Sequence, residues 1–215
     1  MREILVERRL KAVSKKGNQR IEQILLAALE VLIRHGYHAF TMREVAAQCG
    51  MSVGNLNYYY RSKAGLLADL IDSVWRGYEI EFDNILQGNG SHDPEMALEA
   101  VIRLILDDLA TRETTVFFPE LWAMANHDTD AAKRLDQIYA KVRQVFVALI
   151  PQINPSLSEI EVAELALFLS ASLEGHTMFV GYRKPWASHR KRISNIAVKS
   201  MLDLVRGIQP ENYCS

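Results

Sequence analysis

The stretch T41MREVAAQCGMSVGNLNYYYRSK63 decides how the chain is read. Thr41 is placed to cap a short helix, and Glu44 three residues later completes a capping box. Val45 and Ala46 form its inner side. Cys49-Gly50-Met51 interrupts the pattern, and Gly50 is free to turn left-handed. Ser52 then caps a second short helix, in which Val53 and Leu56 lie three apart on one face. The rest of that helix is Gly54, Asn55, Asn57, Tyr58 and Tyr59. Small, amide and aromatic groups are a poor choice for a solvated surface and a good one for the floor of a DNA major groove, where amides pair with adenine edges and apolar groups meet thymine methyls. The stretch predicts a helix-turn-helix.

Working outward on the N-terminal side, Ile21, Ile24, Leu25, Ala28, Leu29 and Leu32 recur at helical spacing and predict an amphipathic helix over about 20–35, ended by Gly36. Residues 1–19 carry Arg2, Arg8, Arg9, Lys11, Lys15 and Lys16. They suit an arm that follows phosphates or enters a minor groove, and equally a solvated tail.

On the C-terminal side, Leu66, Leu67, Leu70, Ile71, Val74, Tyr78, Phe82 and Ile85 predict a long helix over about 63–86. A loop follows at 87–92. Asp93-Pro94 opens a helix to about Leu109. Residues 111–126 read as helical with a break or kink at Pro119, and 128–150 as helical up to a loop bracketed by Pro151 and Pro155. Ser158 and Glu161 form a second capping box. The helix they open, to about Gly181, is apolar on most sides, so it must be buried on most sides. A last helix spans about 188–208. Two such helices in a chain of this size predict a four-helix bundle with a second copy over about 158–208; ordinary burial within the chain is the rival.

Composition sets bounds. The chain has 215 residues and a formal net charge of −1. Residues 1–63 hold 11 Lys/Arg against 5 Asp/Glu, and residues 64–215 hold 14 against 21. The basic end is a footprint for phosphate; the acidic remainder serves another purpose. Cys49 and Cys214 do not make a disulfide framework and suit a reducing, cytoplasmic setting. No stretch reads as a membrane span or a signal peptide.

The central stretch resembles the TetR family of one-component regulators, whose pattern is matched by Thr41, Val45, Ala46, Gly50, Met51, Ser52, Gly54, Leu56, Tyr58, Ser62 and Lys63. The resemblance covers about residues 20–65. Cys49, Asn57 and Tyr60 depart from it, and Asn57 lies on the reading helix. The resemblance implies an all-α fold: an N-terminal three-helix DNA-binding head (1–62 with the arm) and a C-terminal helical ligand-binding and dimerisation domain (63–215). It implies a homodimer on a pseudo-palindromic operator in double-stranded DNA, released by a small-molecule effector.

For DNA the candidates are Thr41, Arg43, Ser52, Val53, Gly54, Asn55, Asn57, Tyr58, Tyr59 and Lys63, with Tyr60 assigned to the core. For the ligand they are Trp75, Phe82, Phe117, Trp122, His127, Phe146, Glu174 and Met178, an aromatic set with a few polar groups. Glu174 and His176 interrupt a helix expected to be buried, and a buried carboxylate needs a partner. A cationic ligand held by aromatic faces fits, and so does a salt bridge to Arg103 or Arg143. Neither His127/Asp128/Asp130 nor Glu174/His176 has a metal-ligand spacing, and no nucleophile motif or phosphate loop is present. The reading is a ligand-responsive repressor without cofactor, metal or catalysis. An activating or architectural DNA binder is the alternative, and a helical enzyme or carrier a further one.

Overall fold

A computed structural model describes residues 15–87 and 93–210. Among them the chain forms α1 (Lys15–Ala39), α2 (Met42–Gln48), α3 (Val53–Tyr59), α4 (Lys63–Gln87), α5 (Pro94–Leu109), α6 (Arg112–Ala125), α7 (Thr129–Ile153), α8 (Glu159–Val180), a 3₁₀ turn (Ala187–His189) and α9 (Arg190–Gly207), with no strand. The expected all-α fold is what the chain adopts. Helix α1 already includes Lys15 and Lys16; the remainder of the basic N-terminal stretch, and Cys214, lie outside the described residues.

The chain divides into two compact units: Met1–Ile80 with Val116–Leu135, and Glu81–Thr115 with Asp136–Ser215. In the first, α1 packs on α2 and α2 on α3. Ile24, Leu32, Phe40, Val45, Leu56, Leu66, Leu70 and Phe117 are among its fully buried side chains. In the second, α5 packs against α8 and α9. The start of α5 is tied to the end of α9 by Arg206, whose guanidinium forks onto the Glu95 carboxylate. The Asn154 amide donates to the carbonyls of Val205 and Ile208 at 2.9 and 3.0 Å, satisfying the C-terminal end of α9.

Three local expectations change. Pro151 does not end α7, which continues to Ile153. Its missing N–H falls in the last turn, opposite Val147 on an exposed face, where water can satisfy the freed carbonyl. Pro119 likewise sits inside α6 without interrupting it. Only the Thr41 half of the first capping box forms: the hydroxyl accepts from Glu44 N at 3.2 Å, whereas the Ser158/Glu161 box is complete.

Helix α8 is buried along Val162, Leu165, Ala166, Leu169, Leu173 and Val180. Its other side, expected to be covered, is exposed in the single chain. Ile160, Leu167, Phe168, Met178 and Phe179 lie there, with Phe179 66% exposed.

Candidate nucleic-acid interface and buried carboxylate

The turn between α2 and α3 is closed by backbone bonds. Cys49 N donates to Val45 O, Gly50 N to Ala47 O and Met51 N to Ala46 O, at 2.9–3.0 Å. Gly50 takes φ +63°, a conformation that any Cβ would strain. Ser52 Oγ accepts from Asn55 N at 3.2 Å and starts α3. The turn therefore fixes the angle at which α3 leaves α2.

Of α3 only Leu56 is buried. Val53, Gly54, Asn55, Asn57 and Tyr58 are exposed, as are Thr41, Arg43 and Ser52. Tyr58 is 84% exposed and meets the half-buried Tyr59 edge to face, with centroids 5.3 Å apart. Tyr60 is buried, and its hydroxyl donates to the Asp69 carboxylate. The three tyrosines thus divide between surface, edge and core: Tyr58 and Tyr59 are one helical step apart, and Tyr60 turns inward because the chain leaves the helix there in an extended conformation. One face of α3 presents two amides, a phenol and a valine, with no acidic group in the helix. Such a face can donate to and accept from base edges.

Lys63 is placed differently from the other DNA candidates. Its ammonium donates to Tyr37 O at 3.3 Å and lies 3.8 Å from the centroid of the Tyr37 ring. Burial lowers its pKa. At the other backbone group of the same residue, Tyr37 N donates to Glu120 Oε2 at 2.7 Å. Glu120 lies in an otherwise apolar stretch of the sequence, and its partner is 83 positions away, beyond the reach of any local pattern.

The ligand candidates fall in both units. Trp75, Phe117, Trp122 and His127 belong to the first; Phe82, Phe146, Glu174 and Met178 to the second. Trp75, Phe82, Phe117 and Phe146 are buried, Trp122 is half-buried, and His127 and Met178 are exposed. Asp128 is spent as the cap of α7, accepting from Asp130 N and Ala131 N at 2.9 and 3.0 Å. A cleft of about 390 Å³ in the first unit is lined by Tyr37, Lys63, Leu67, Ile71, Met124 and Arg134. A groove of about 400 Å³ in the second lies between α8 and α9, against Phe168, His176, Ile193, Ile196 and Leu204. Neither includes any of the eight predicted ligand residues.

Glu174 is the most perturbed acid described. Burial pushes its carboxyl up to about 7, a hydrogen bond with Tyr139 pulls it down, and the nearby Asp108 pushes it up again. Its Oε2 has no hydrogen-bond partner, and neither has the Thr177 hydroxyl one turn on. Of the two arginines considered as partners, Arg103 instead donates to Glu99 at 2.7 Å and to Asn195 at 3.0 Å.

A capped helix-turn-helix with an exposed amide-and-aromatic face, carried on a helical body, defines a DNA-binding transcriptional regulator. Two family profiles match, "Bacterial regulatory proteins, tetR family" over residues 24–70 and "BetI-type transcriptional repressor, C-terminal" over residues 94–202. The chain belongs to the TetR family. A regulator encoded in the dhlA 5′ region of Xanthobacter autotrophicus is 29% identical over 69% of this chain and 74% of its own length. The BetI regulator of Serratia proteamaculans is 28% identical over 75% of this chain and 86% of its own. A transcriptional regulator from Saccharomonospora viridis, solved in complex with choline, shares the fold at TM-score 0.66 and 19% identity, over 88% and 96% of the two chains. No described helix is long and apolar enough to cross a membrane.

Proposed function

We propose that this protein is a homodimeric repressor that binds a pseudo-palindromic operator and leaves it when a small cationic effector binds. The observation that carries the DNA half of this reading is the exposed face of α3, with Asn55, Asn57 and Tyr58 free of the core. Residues 1–62 are the reading part and 63–215 the effector and dimerisation part. Arg43, Asn55 and Asn57 read base edges; Thr41, Ser52 and Tyr59 position the helix on the backbone. The dimer forms through the exposed apolar side of α8 and the neighbouring face of α9, over about 158–208, which the groove against Phe168 and Ile196 supports. Two heads on one DNA face then lie about 34–36 Å apart or a multiple of that.

The effector is a quaternary or protonated amine. Support comes from Glu174, a buried carboxylate with one oxygen unsatisfied beside Tyr139 and Asp108. The BetI-type profile over residues 94–202 and the choline bound by the Saccharomonospora protein point the same way. A cation there pairs with the carboxylate and with aromatic faces. The effector acts by binding better to the dimer whose heads do not fit the operator.

Choline tests this directly. Titrated into the complex with operator DNA, it lowers fluorescence anisotropy in a saturable way, and Glu174→Ala abolishes the response while leaving DNA affinity in place. An unmoved anisotropy, together with no heat of binding to the free protein, would remove the cationic-effector reading.

A further inference from the structure

Residues 64–215 are acidic except at one place. The segment 182–192, YRKPWASHRKR, holds Arg183, Lys184, Arg190, Lys191 and Arg192 with no acid, while the rest of 64–215 carries 9 Lys/Arg against 21 Asp/Glu. Further along α9, Lys199 and Arg206 are paired with Asp203 and Glu95. None of the five meets a carboxylate among the described residues. Lys184 is half-buried and the other four are exposed. Three of them open α9, whose first turn has no acidic residue. Cations at a helix N-terminus oppose the backbone dipole, so this placement costs local stability. A bound anion offsets both that opposition and the mutual repulsion of the cations.

The segment is tied down by its backbone. Tyr182 N donates to Thr115 Oγ1 at 2.8 Å, Lys184 N to Gly181 O at 3.1 Å, Trp186 N to Phe179 O at 3.3 Å and His189 N to Trp186 O at 2.9 Å. Arg183 has φ +56°, the one positive value of a non-glycine among the described residues, and such a conformation persists only where its surroundings hold it. Its guanidinium lies 5.2 Å from the centroid of the Tyr182 ring, and Trp186 meets His189 with centroids 5.2 Å apart. Tyr182 and Trp186 are 40% and 56% exposed, two rings set singly among exposed cations. The anchor Thr115 is the last residue of its unit before the chain passes, at Val116, into the unit that carries α3.

We propose that residues 182–192 are a second contact for duplex DNA, in addition to the helix-turn-helix, at which Arg183, Arg190 and Arg192 bind backbone phosphates without reading sequence. Guanidinium forks match phosphate oxygens, and neutralised phosphates release their counterions. The Tyr182 and Trp186 rings suit contact with the sugars between them. A membrane surface fits less well. An interfacial element needs a continuous apolar face, and here turns and a single 3₁₀ turn separate two isolated rings. Once α3 holds a duplex, the second contact is made within the same complex and adds to affinity without a second encounter.

The test measures binding of full-length chains to a mixed-sequence duplex of about 40 bp, by fluorescence anisotropy between about 0.05 and 0.2 M salt. One variant carries Arg183→Gln, Arg190→Gln and Arg192→Gln. A control removes the same charge elsewhere, through Lys133→Gln, Lys141→Gln and Lys199→Gln. The first should bind at least about tenfold more weakly, with the slope of log K against log salt shallower by at least about 2, since each phosphate contact contributes about 0.9. The control should keep most of the wild-type slope, and Arg→Lys at the same three positions, which retains the charge, should keep it as well. Neutralising cations at the start of α9 should leave the melting midpoint in place or raise it. The three single Arg→Gln variants, each carrying part of the slope change, keep the test decisive if the triple variant melts early. An unmoved slope, or a control that shifts it equally, overturns the proposal. Loss of the wild-type assembly state in sedimentation velocity, with the salt slope unchanged, would assign the segment to subunit pairing and overturn it too. So would wild-type binding to phosphatidylglycerol vesicles that the first variant loses while its DNA slope stays unmoved.

Discussion

The carboxylate of Glu120 accepts the backbone N–H of Tyr37 at 2.7 Å, directly after the residue at which α1 is kinked. That residue, Gly36, has φ +72°, and a Cβ there would come within 3.2 Å of Glu120 Oε1. The Tyr37 carbonyl is taken by Lys63. Both backbone groups of Tyr37, on the way into the helix-turn-helix, are therefore held by charged groups from α4 and α6.

Glu120→Ala should cost about 1–3 kcal/mol, the usual range for a hydrogen bond to a charged group whose partner is left unsatisfied. Glu120→Gln keeps an acceptor and should cost less. Gly36→Ala should cost more than the 0.5–1 kcal/mol by which alanine normally stabilises a helix, roughly reversed in sign, because the left-handed backbone cannot relax against Glu120. Urea denaturation of the three variants checks the order.

The outward and inward sides of α3 should separate cleanly. Asn55→Ala and Asn57→Ala should each weaken operator binding by about 1–3 kcal/mol and leave the unfolding midpoint unchanged. Tyr58→Ala behaves as they do, since its ring is exposed. Leu56→Ala, fully buried, should lose about 2–5 kcal/mol of stability. Paired electrophoretic-shift and denaturation curves read both quantities. A loss of stability in the asparagine variants would place them in the core.

Glu174 gives a pH dependence of known sign. Its folded-state pKa is raised to about 7 from an ordinary value near 4.5. The folded chain thus holds a proton that the unfolded chain gives up. The associated stability is complete below about pH 4.5 and is lost as pH rises through 7, by up to about 3 kcal/mol. Glu174→Gln should flatten that part of the profile and be the more stable protein at pH 8. Cation binding needs the ionised form, so choline affinity should rise from pH 6 to pH 8 in the wild type and not in Glu174→Gln.

What the sequence made legible was local. Caps at Thr41, Ser52, Asp93 and Ser158, the left-handed Gly50, and the inward Val45 and Leu56 each follow from residues within four positions of one another, and each is in place. Pro151 does not end its helix, because its missing N–H falls in the last turn opposite the exposed Val147, and Pro119 lies inside α6 without breaking it. Long-range features were out of reach. Lys63 reads as a phosphate ligand by position, yet it lies on Tyr37. Glu120 and Tyr37 are joined across 83 residues. The basic run at 183–192 could have been found, since cations without acids at the start of a helix contradict the ordinary end preferences.

The proposed function turns on sequence-specific recognition by a two-fold dimer. The direct test is selection of binding sites from random duplex DNA at about 0.15 M salt, with Asn55→Ala run in parallel. The expected result is an inverted repeat whose half-sites lie about 10 bp apart centre to centre, or a multiple, and a relaxed base preference within each half-site for the variant. Enrichment of no sequence, with binding that fades uniformly as salt rises, would contradict it.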